Sequence, residues 1–180
     1  MTEFILGGLT GVPAAERPDL LAGPTLAALT ALELLDSVGV VEIDPAVSDT
    51  AATQDAYSLD ARELVNCVLV AGRRDGVERV AAALVPASKR ADVNGFVRRR
   101  LDVRKASFLP LETAVEASGM EYGGITPIGL PADWPLLLDA DAAAERLVVI
   151  GSGVRRSKIL VPGAVLAALP GTEVSADLAR

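Results

Sequence analysis

The chain has 180 residues, of which 51% are hydrophobic, with one cysteine and no histidine. This length and composition are typical of one soluble α/β domain. The lack of histidine excludes Ser-His and Cys-His nucleophilic pairs, and one cysteine excludes an internal disulfide and a cysteine-based zinc site. The sequence therefore predicts no metal and no cofactor. It leaves the chemistry to carboxylates, lysines, hydroxyls, the backbone or the substrate.

The net charge of −7 is unevenly distributed. Residues 89–105 hold seven basic and two acidic side chains. Such a stretch on an acidic protein either meets a phosphate backbone or is a solvated helix face. The first residues do not resemble a signal peptide, and no apolar run reaches the length of a membrane span. We therefore expect a cytoplasmic protein with no membrane partner.

In chain order, residues 1–22 are predicted to be a loosely packed N-terminal extension, because glycines and prolines leave no clear periodicity. Residues 23–180 are predicted to form a single domain. Leucines at helical spacing predict a helix at 25–37 with Thr25 as its N-cap. A strand at 38–44 and a helix at 51–59, begun by Asp49-Thr50, follow.

A hairpin is predicted next, since strands at 66–72 and 77–85 flank an Asp-Gly turn at residues 75–76. The remaining prediction comprises helices at 92–101, 110–116 and 162–169, a helical or turn segment at 140–144, and strands at 104–108, 134–139, 146–150 and 158–161. Many short strands with interspersed helices favour an α/β fold of the α+β type, in which helices partly wrap a mixed sheet.

One stretch, Ser118–Pro131, fits neither a helix nor a central strand because glycines and prolines interrupt it. Apolar residues lie between them, which is unlike a solvated linker. A rigid loop with aimed N–H groups is what an oxyanion hole or an anion site requires. The alternative is a buried turn between two core elements.

Three segments of the sequence resemble the YbaK / prolyl-tRNA-synthetase-associated editing family. They are Val103–Phe108, Glu116–Gly129 with the motif Gly-Gly-x-x-Pro-x-Gly, and Ile150–Gly153. The resemblance extends from about Leu59 to Val174 and implies a mixed sheet that curls toward a barrel and is flanked by helices. It also implies a free-standing deacylase that hydrolyses the ester between a wrong amino acid and the tRNA 3′ end. The implied partners are mischarged tRNA and, as an open alternative, an aminoacyl-tRNA synthetase.

The resemblance also assigns site residues. Members of the family use no nucleophile of the triad type and rely on groups of the substrate, such as a ribose hydroxyl, with water and backbone donors. The catalytic backbone would be that of Gly123, Gly124, Ile125 and Gly129. By the same resemblance, substrate binding would fall to Lys105, Pro127, Gly151 and Gly153. Asn66, Thr126, Ser152 and Lys158 are further candidates for substrate binding, and Ser152 between two glycines is alternatively only part of a turn.

One position departs from the family pattern: many bacterial members carry a lysine where this chain has Asn66. Asparagine can form hydrogen bonds but cannot neutralise a phosphate. Two other interpretations therefore stay open, a catalytically silent member that binds tRNA or a synthetase, and a small-molecule ester or amide hydrolase. Lys158 either meets phosphate or belongs to an exposed basic cluster. Cys67, in an apolar strand, is expected to be a core residue.

Overall fold

Two β-sheets that meet along one edge carry the fold, and the structure, a computed structural model, describes residues 3–180. The four-stranded sheet is antiparallel, with the order β3 (Val12–Pro13), β4 (Gly39–Glu42), β10 (Ser157–Val161) and β9 (Val148–Gly151). The five-stranded sheet is mixed, with the order β11 (Thr172–Ser175), β8 (Leu136–Asp139), β6 (Val77–Pro86), β5 (Val65–Arg74) and β7 (Ala106–Phe108).

The β5–β6 hairpin is the longest element, and its ten residue pairs form the centre of the mixed sheet. Its turn places both Asp75 and Gly76 at positive φ, which is the geometry that an Asp-Gly hairpin turn requires. The predicted hairpin is therefore confirmed. β11, which pairs in parallel with β8, was not predicted from the sequence.

The two sheets are joined through the start of β5. Leu64 pairs in parallel with Val149 of β9, and the Val149 N–H donates to the Glu63 carbonyl at 2.7 Å. Further along, the N–H of Leu109 donates to the carbonyl of Leu69 at 2.9 Å. Between the link to β9 at Leu64 and this bond within the mixed sheet at Leu69, no strand of the described chain pairs with this edge of β5. The sheets therefore splay apart there and leave a gap.

Helices cover both sheets, which confirms the α/β class with a mixed sheet flanked by helices. The strands curl into two joined sheets and do not close into one barrel. The helices are α1 (Gly23–Ala31), α2 (Thr50–Tyr57), α3 (Arg98–Leu101, preceded by a wider helical turn at Val93–Val97), α4 (Leu111–Ser118), α5 (Ala140–Ala144) and α6 (Gly163–Ala167). Within residues 3–180, none of them has the length and apolar character needed to cross a membrane.

The prediction for the first helix needs correction at both ends. α1 starts at Gly23 with Pro24 in its first turn, so Thr25 lies inside the helix and is not its N-cap. The helix ends at Ala31, well before residue 37, and Glu33 then takes a φ of +56°, which breaks helical continuity. The start of α2 agrees with the prediction, since the Asp49 carboxylate accepts the N–H of Ala52 at 3.0 Å.

The expectation of loose packing in the N-terminal segment is wrong. Phe4, Leu6 and Leu9 are buried together with residues from the four-stranded sheet and from the segments before β5. Two short strands, β1 (Ile5–Leu6) and β2 (Leu9–Thr10), pair as a hairpin, and β3 joins the four-stranded sheet. Apolar side chains that are too irregularly spaced for a periodic pattern still cover the outer face of β9 and β10. The division of the chain into an extension and one domain stays a prediction.

Replacing Phe4 tests whether the N-terminal segment contributes to the fold. Phe4 is 3% exposed and its neighbour Ile5 is 43% exposed, so the two positions form a matched pair. We expect Phe4→Ala to lower the free energy of unfolding by about 3–4 kcal/mol, because a buried ring leaves a cavity. Ile5→Ala should cost less than about 1 kcal/mol. Equal and small losses in urea unfolding would contradict the packing described.

Candidate active site

The gap between the sheets opens into a cavity of about 530 Å³. One side is apolar and is formed by Cys67 and Leu69 of β5 with Ile150 of β9. The lining also includes the polar side chains of Asn66 and Lys158, which define the polar end of the cavity. The loop that the sequence singled out lies along the cavity, after α4. Both sheets therefore contribute directly to one site.

The loop is fixed by a close crossing with the turn that follows β9. The N–H of Gly153 donates to the carbonyl of Gly124 at 2.7 Å, and the N–H of Glu121 donates to the carbonyl of Gly153 at 2.9 Å. A Cβ atom on Gly124 would lie 2.7 Å from the backbone carbonyl carbon of Val154, and one on Gly151 would overlap the carbonyl oxygen of Gly124. Only glycine lets two backbones approach this closely.

Several N–H groups of the loop have no acceptor among the described residues, and those of Tyr122, Gly123 and Ile125 belong to residues that border the cavity. The N–H of Gly124 donates to the Glu121 carbonyl at 2.9 Å, and that of Thr126 points to the Met120 sulfur at 3.5 Å. The N–H groups of Gly123 and Ile125 donate to no atom within residues 3–180, and both residues border the cavity. These two groups are free to bind an oxygen atom of a ligand.

Lys158 supplies a buried positive charge at the polar end. Its side chain extends from β10, the residue is 8% exposed, and Nζ donates to the Ser48 carbonyl at 2.7 Å. Burial lowers the pKa of Lys158 to about 8, and the nearby Asp49 carboxylate partly opposes this shift. The ammonium is therefore mostly protonated at pH 7 and loses its proton slightly above it.

Two neutral side chains complete the polar end. The hydroxyl of Thr50 donates to Oδ1 of Asn66 at 2.6 Å, which orients the amide and leaves its nitrogen as the donor. The Ser48 hydroxyl is buried and has no hydrogen-bond partner among the described residues. A buried hydroxyl without a partner is costly, so a ligand that bonds to it would gain that energy.

Arg155 connects the loop to the polar end. Its guanidinium donates to the carbonyl of Tyr122 at 3.3 Å and to that of Pro45 at 3.2 Å, and its backbone N–H donates to Oε2 of Glu121 at 2.7 Å. Arg155 and Lys158 thus place two cations at the cavity, against the single carboxylate of Asp49 in its lining. This charge suits an anionic ligand.

Five of the twelve predicted site residues border the cavity: Gly123, Ile125, Asn66, Gly151 and Lys158. Four others lie behind this surface, namely Gly124, Thr126, Ser152 and Gly153. Thr126 and Ser152 are fully buried, and the Ser152 hydroxyl is bonded to that of Ser157 at 2.7 Å. Their position supports the loop and the turn from within the fold.

The remaining three predicted residues lie elsewhere. Pro127 and Gly129 border a separate cavity of about 150 Å³ beside α1, and a Cβ atom on Gly129 would meet the Pro24 carbonyl oxygen at 2.5 Å. Lys105 is exposed just before β7 and is not part of the lining of the larger cavity. Residues of the Gly-Gly-x-x-Pro-x-Gly motif therefore border two separate cavities.

Sequence analysis missed other residues that border the site. Ser48 precedes a helix cap and carries no recognisable pattern, and Phe108 was assigned only to a strand. Tyr122 lies between loop residues that were singled out for their backbone. Only Arg155 had a signal, since it belongs to the same basic cluster as Lys158. Cys67 is partly buried, packs against the core and also borders the cavity, and desolvation raises the pKa of its thiol to about 12.

These features define a class of protein: an α/β domain with a candidate ligand site between two sheets, bordered by unused backbone donors and a buried lysine. The sequence pattern of the aminoacyl-tRNA editing domain family matches residues 44–169, which is more than half of the chain. The chain belongs to this family. The resemblance found in the sequence is confirmed.

Solved structures share the fold. A protein provisionally described as a trans-editing enzyme for prolyl-tRNA synthetase is 23% identical with a TM-score of 0.74, covering 88% of this chain and 96% of its own. The hypothetical protein APE2540 is 19% identical with a TM-score of 0.75, covering 87% and 99%. A scaffold for computational epitope grafting is 24% identical with a TM-score of 0.71, covering 88% and 96%. No curated protein matches the sequence.

Replacing Gly124 by alanine tests the crossing of loop and turn. The added Cβ would press on the backbone of Val154, which cannot rotate away. We expect a loss of about 1–3 kcal/mol in the free energy of unfolding and faster amide exchange in the loop. Gly23→Ala is the control, because a Cβ there meets nothing within 4 Å. Wild-type stability and exchange in Gly124→Ala would contradict the tight crossing.

Titrating Lys158 tests its burial without any ligand. Since the folded pKa is near 8 and that of the unfolded chain is 10.5, the unfolded state binds more protons between these values. Stability should therefore rise with pH between about 8 and 10.5, by on the order of 2–3 kcal/mol. Lys158→Met should lack this contribution. Parallel pH profiles of unfolding for the two proteins would show that Lys158 is not buried as described.

Proposed function

We propose that this protein is a trans-editing hydrolase that removes a wrong amino acid from the 3′ end of tRNA. Family membership supports an editing function. The observation that carries the proposal is the pair of unused N–H groups on Gly123 and Ile125, at the edge of a cavity that also contains the Lys158 ammonium. The N–H groups can donate to the carbonyl oxygen of an ester. The ammonium can bind the adjacent phosphate of a tRNA end.

The cavity offers two environments to such a substrate. The amino acid side chain would pack on the apolar surface of Cys67, Leu69 and Ile150. The terminal ribose and its phosphate would lie toward Lys158 and Arg155. This orientation matches the apolar part of the substrate to the apolar wall, and its charge to the two cations.

The reaction proposed is hydrolysis of the ester. Water adds to the carbonyl carbon, and the resulting oxyanion accepts hydrogen bonds from the N–H groups of Gly123 and Ile125. The bond between the carbonyl carbon and the ribose oxygen then breaks, and that oxygen takes up a proton. As the resemblance to the editing family implies, a neighbouring ribose hydroxyl of the substrate relays the proton of the attacking water in this proposal. One such oxyanion donor generally contributes about 10²–10³ in rate.

In this proposal, Lys158 supplies the positive charge that is missing because Asn66 stands where many family members have a lysine. Asn66 lacks the charge that a phosphate requires, but Lys158 borders the same cavity from β10. The cation would then come from a different strand, while Asn66 contributes a hydrogen bond through its amide nitrogen. A tRNA end could still be bound by charge.

Deacylation of a panel of mischarged tRNAs tests the proposal. We expect the wild type to hydrolyse at least one of them, and Lys158→Met to lower kcat/KM about 10–100-fold through loss of a charged contact. Lys105→Met is the matched comparison, since this exposed lysine lies outside the cavity, and it should lower kcat/KM less than Lys158→Met does.

Two other outcomes would replace the proposal with its alternatives. Retention of tRNA without hydrolysis of any aminoacyl ester would identify a silent binding protein. Turnover of simple esters that is indifferent to added tRNA would identify a small-molecule hydrolase.

A further inference from the structure

Aromatic residues are scarce in this chain, yet two of the most exposed lie at the same cavity. The sequence contains three phenylalanines, two tyrosines and one tryptophan. Phe108 is 67% exposed and Tyr122 is 62% exposed, and both border the site together with the 48% exposed Leu111. Single exposed apolar side chains need no explanation, but several at one cavity mark a binding surface.

The backbones that carry the two rings are fixed. Phe108 lies in β7, which pairs with β5, and the next residue is held by the hydrogen bond from the Leu109 N–H to the Leu69 carbonyl. Tyr122 lies in the turn closed by the Gly124 N–H and the Glu121 carbonyl, and Arg155 binds its carbonyl oxygen. Little conformational freedom of the main chain would be lost when a ligand contacts these rings.

The charge around the rings identifies the kind of ligand. Arg155 and Lys158 are positive, while the neighbouring carboxylates of Glu121 and Asp49 already accept backbone N–H groups of Arg155 and Ala52. Exposed rings beside cations are what single-stranded nucleic acids require, because bases stack on the rings and the phosphates meet the charges. An apolar peptide would use the rings but not the cations.

We propose that Phe108 and Tyr122 form a stacking rim that holds the unpaired nucleotides at the 3′ end of the tRNA while its ester lies in the cavity. This inference rests on the proposed function and specifies which part of the tRNA is recognised. Stacking tolerates any base, so the rim holds the end common to all tRNAs and leaves selection to the cavity and to contacts elsewhere.

The rim is tested by steady-state deacylation with leucine and aromatic substitutions. Phe108→Leu and Tyr122→Leu keep the apolar character but remove the ring, and each should raise KM for aminoacyl-tRNA about 10-fold. We expect kcat to stay unchanged, since neither ring touches the ester. Phe108→Trp should restore KM to within about 3-fold of the wild type. Val77→Ala, at a 59% exposed position outside the cavity lining, is the control.

Wild-type KM in both leucine variants, or an equal loss in Phe108→Trp, would overturn the rim. A binding measurement separates this failure from failure of the proposed function. An RNA oligonucleotide with the tRNA 3′ sequence and 2-aminopurine as its last base should be quenched by the wild type and less by the leucine variants. If the wild type hydrolyses no aminoacyl-tRNA but quenches this probe, the stacking rim is supported and the proposed deacylase activity is contradicted. If it quenches nothing, the rim is overturned.

Discussion

The geometry of the site depends on a direct contact between two backbone segments, with no side chain between them. The loop meets the turn after β9 through Gly124 and Gly151, and hydrogen bonds between main-chain groups hold the two segments together. This contact aligns the loop with the last residues of β9, and so brings its unused N–H groups beside β5 and β10. Without it, the backbone donors and the buried lysine would belong to unrelated surfaces.

The contact also explains why a chain without histidine can offer a defined chemical site. Backbone N–H groups cannot be tuned by titration, so their value depends on fixed position. The loop is held in place by its close glycine contact with the turn after β9. It is also held by the guanidinium of Arg155, which donates to the carbonyls of Tyr122 and Pro45. Burial brings the pKa of Lys158 to about 8, so the charge that this side chain adds to the site depends on pH near neutrality.

Local patterns in the sequence predicted most of the elements, but not β1 to β3 or β11, and they singled out the loop without predicting which other residues border the candidate site. The Asp-Gly turn and the Asp49 cap are short-range features, so both were predictable. The roles of Ser48 and Phe108 depend on how two sheets splay, which no local pattern encodes. The N-terminal segment was misjudged for the same reason, because its buried residues pack on distant strands and follow no period of their own.

The gap at the edge of β5 has a consequence for association between chains. An unpaired strand edge normally invites another strand, and proteins cover or blunt such edges. Here the open part spans only the few residues between Leu64 and Leu69, and it lies within a cavity instead of on the outer surface. This edge of β5 therefore keeps backbone groups accessible to a small ligand and is too short to recruit a foreign strand.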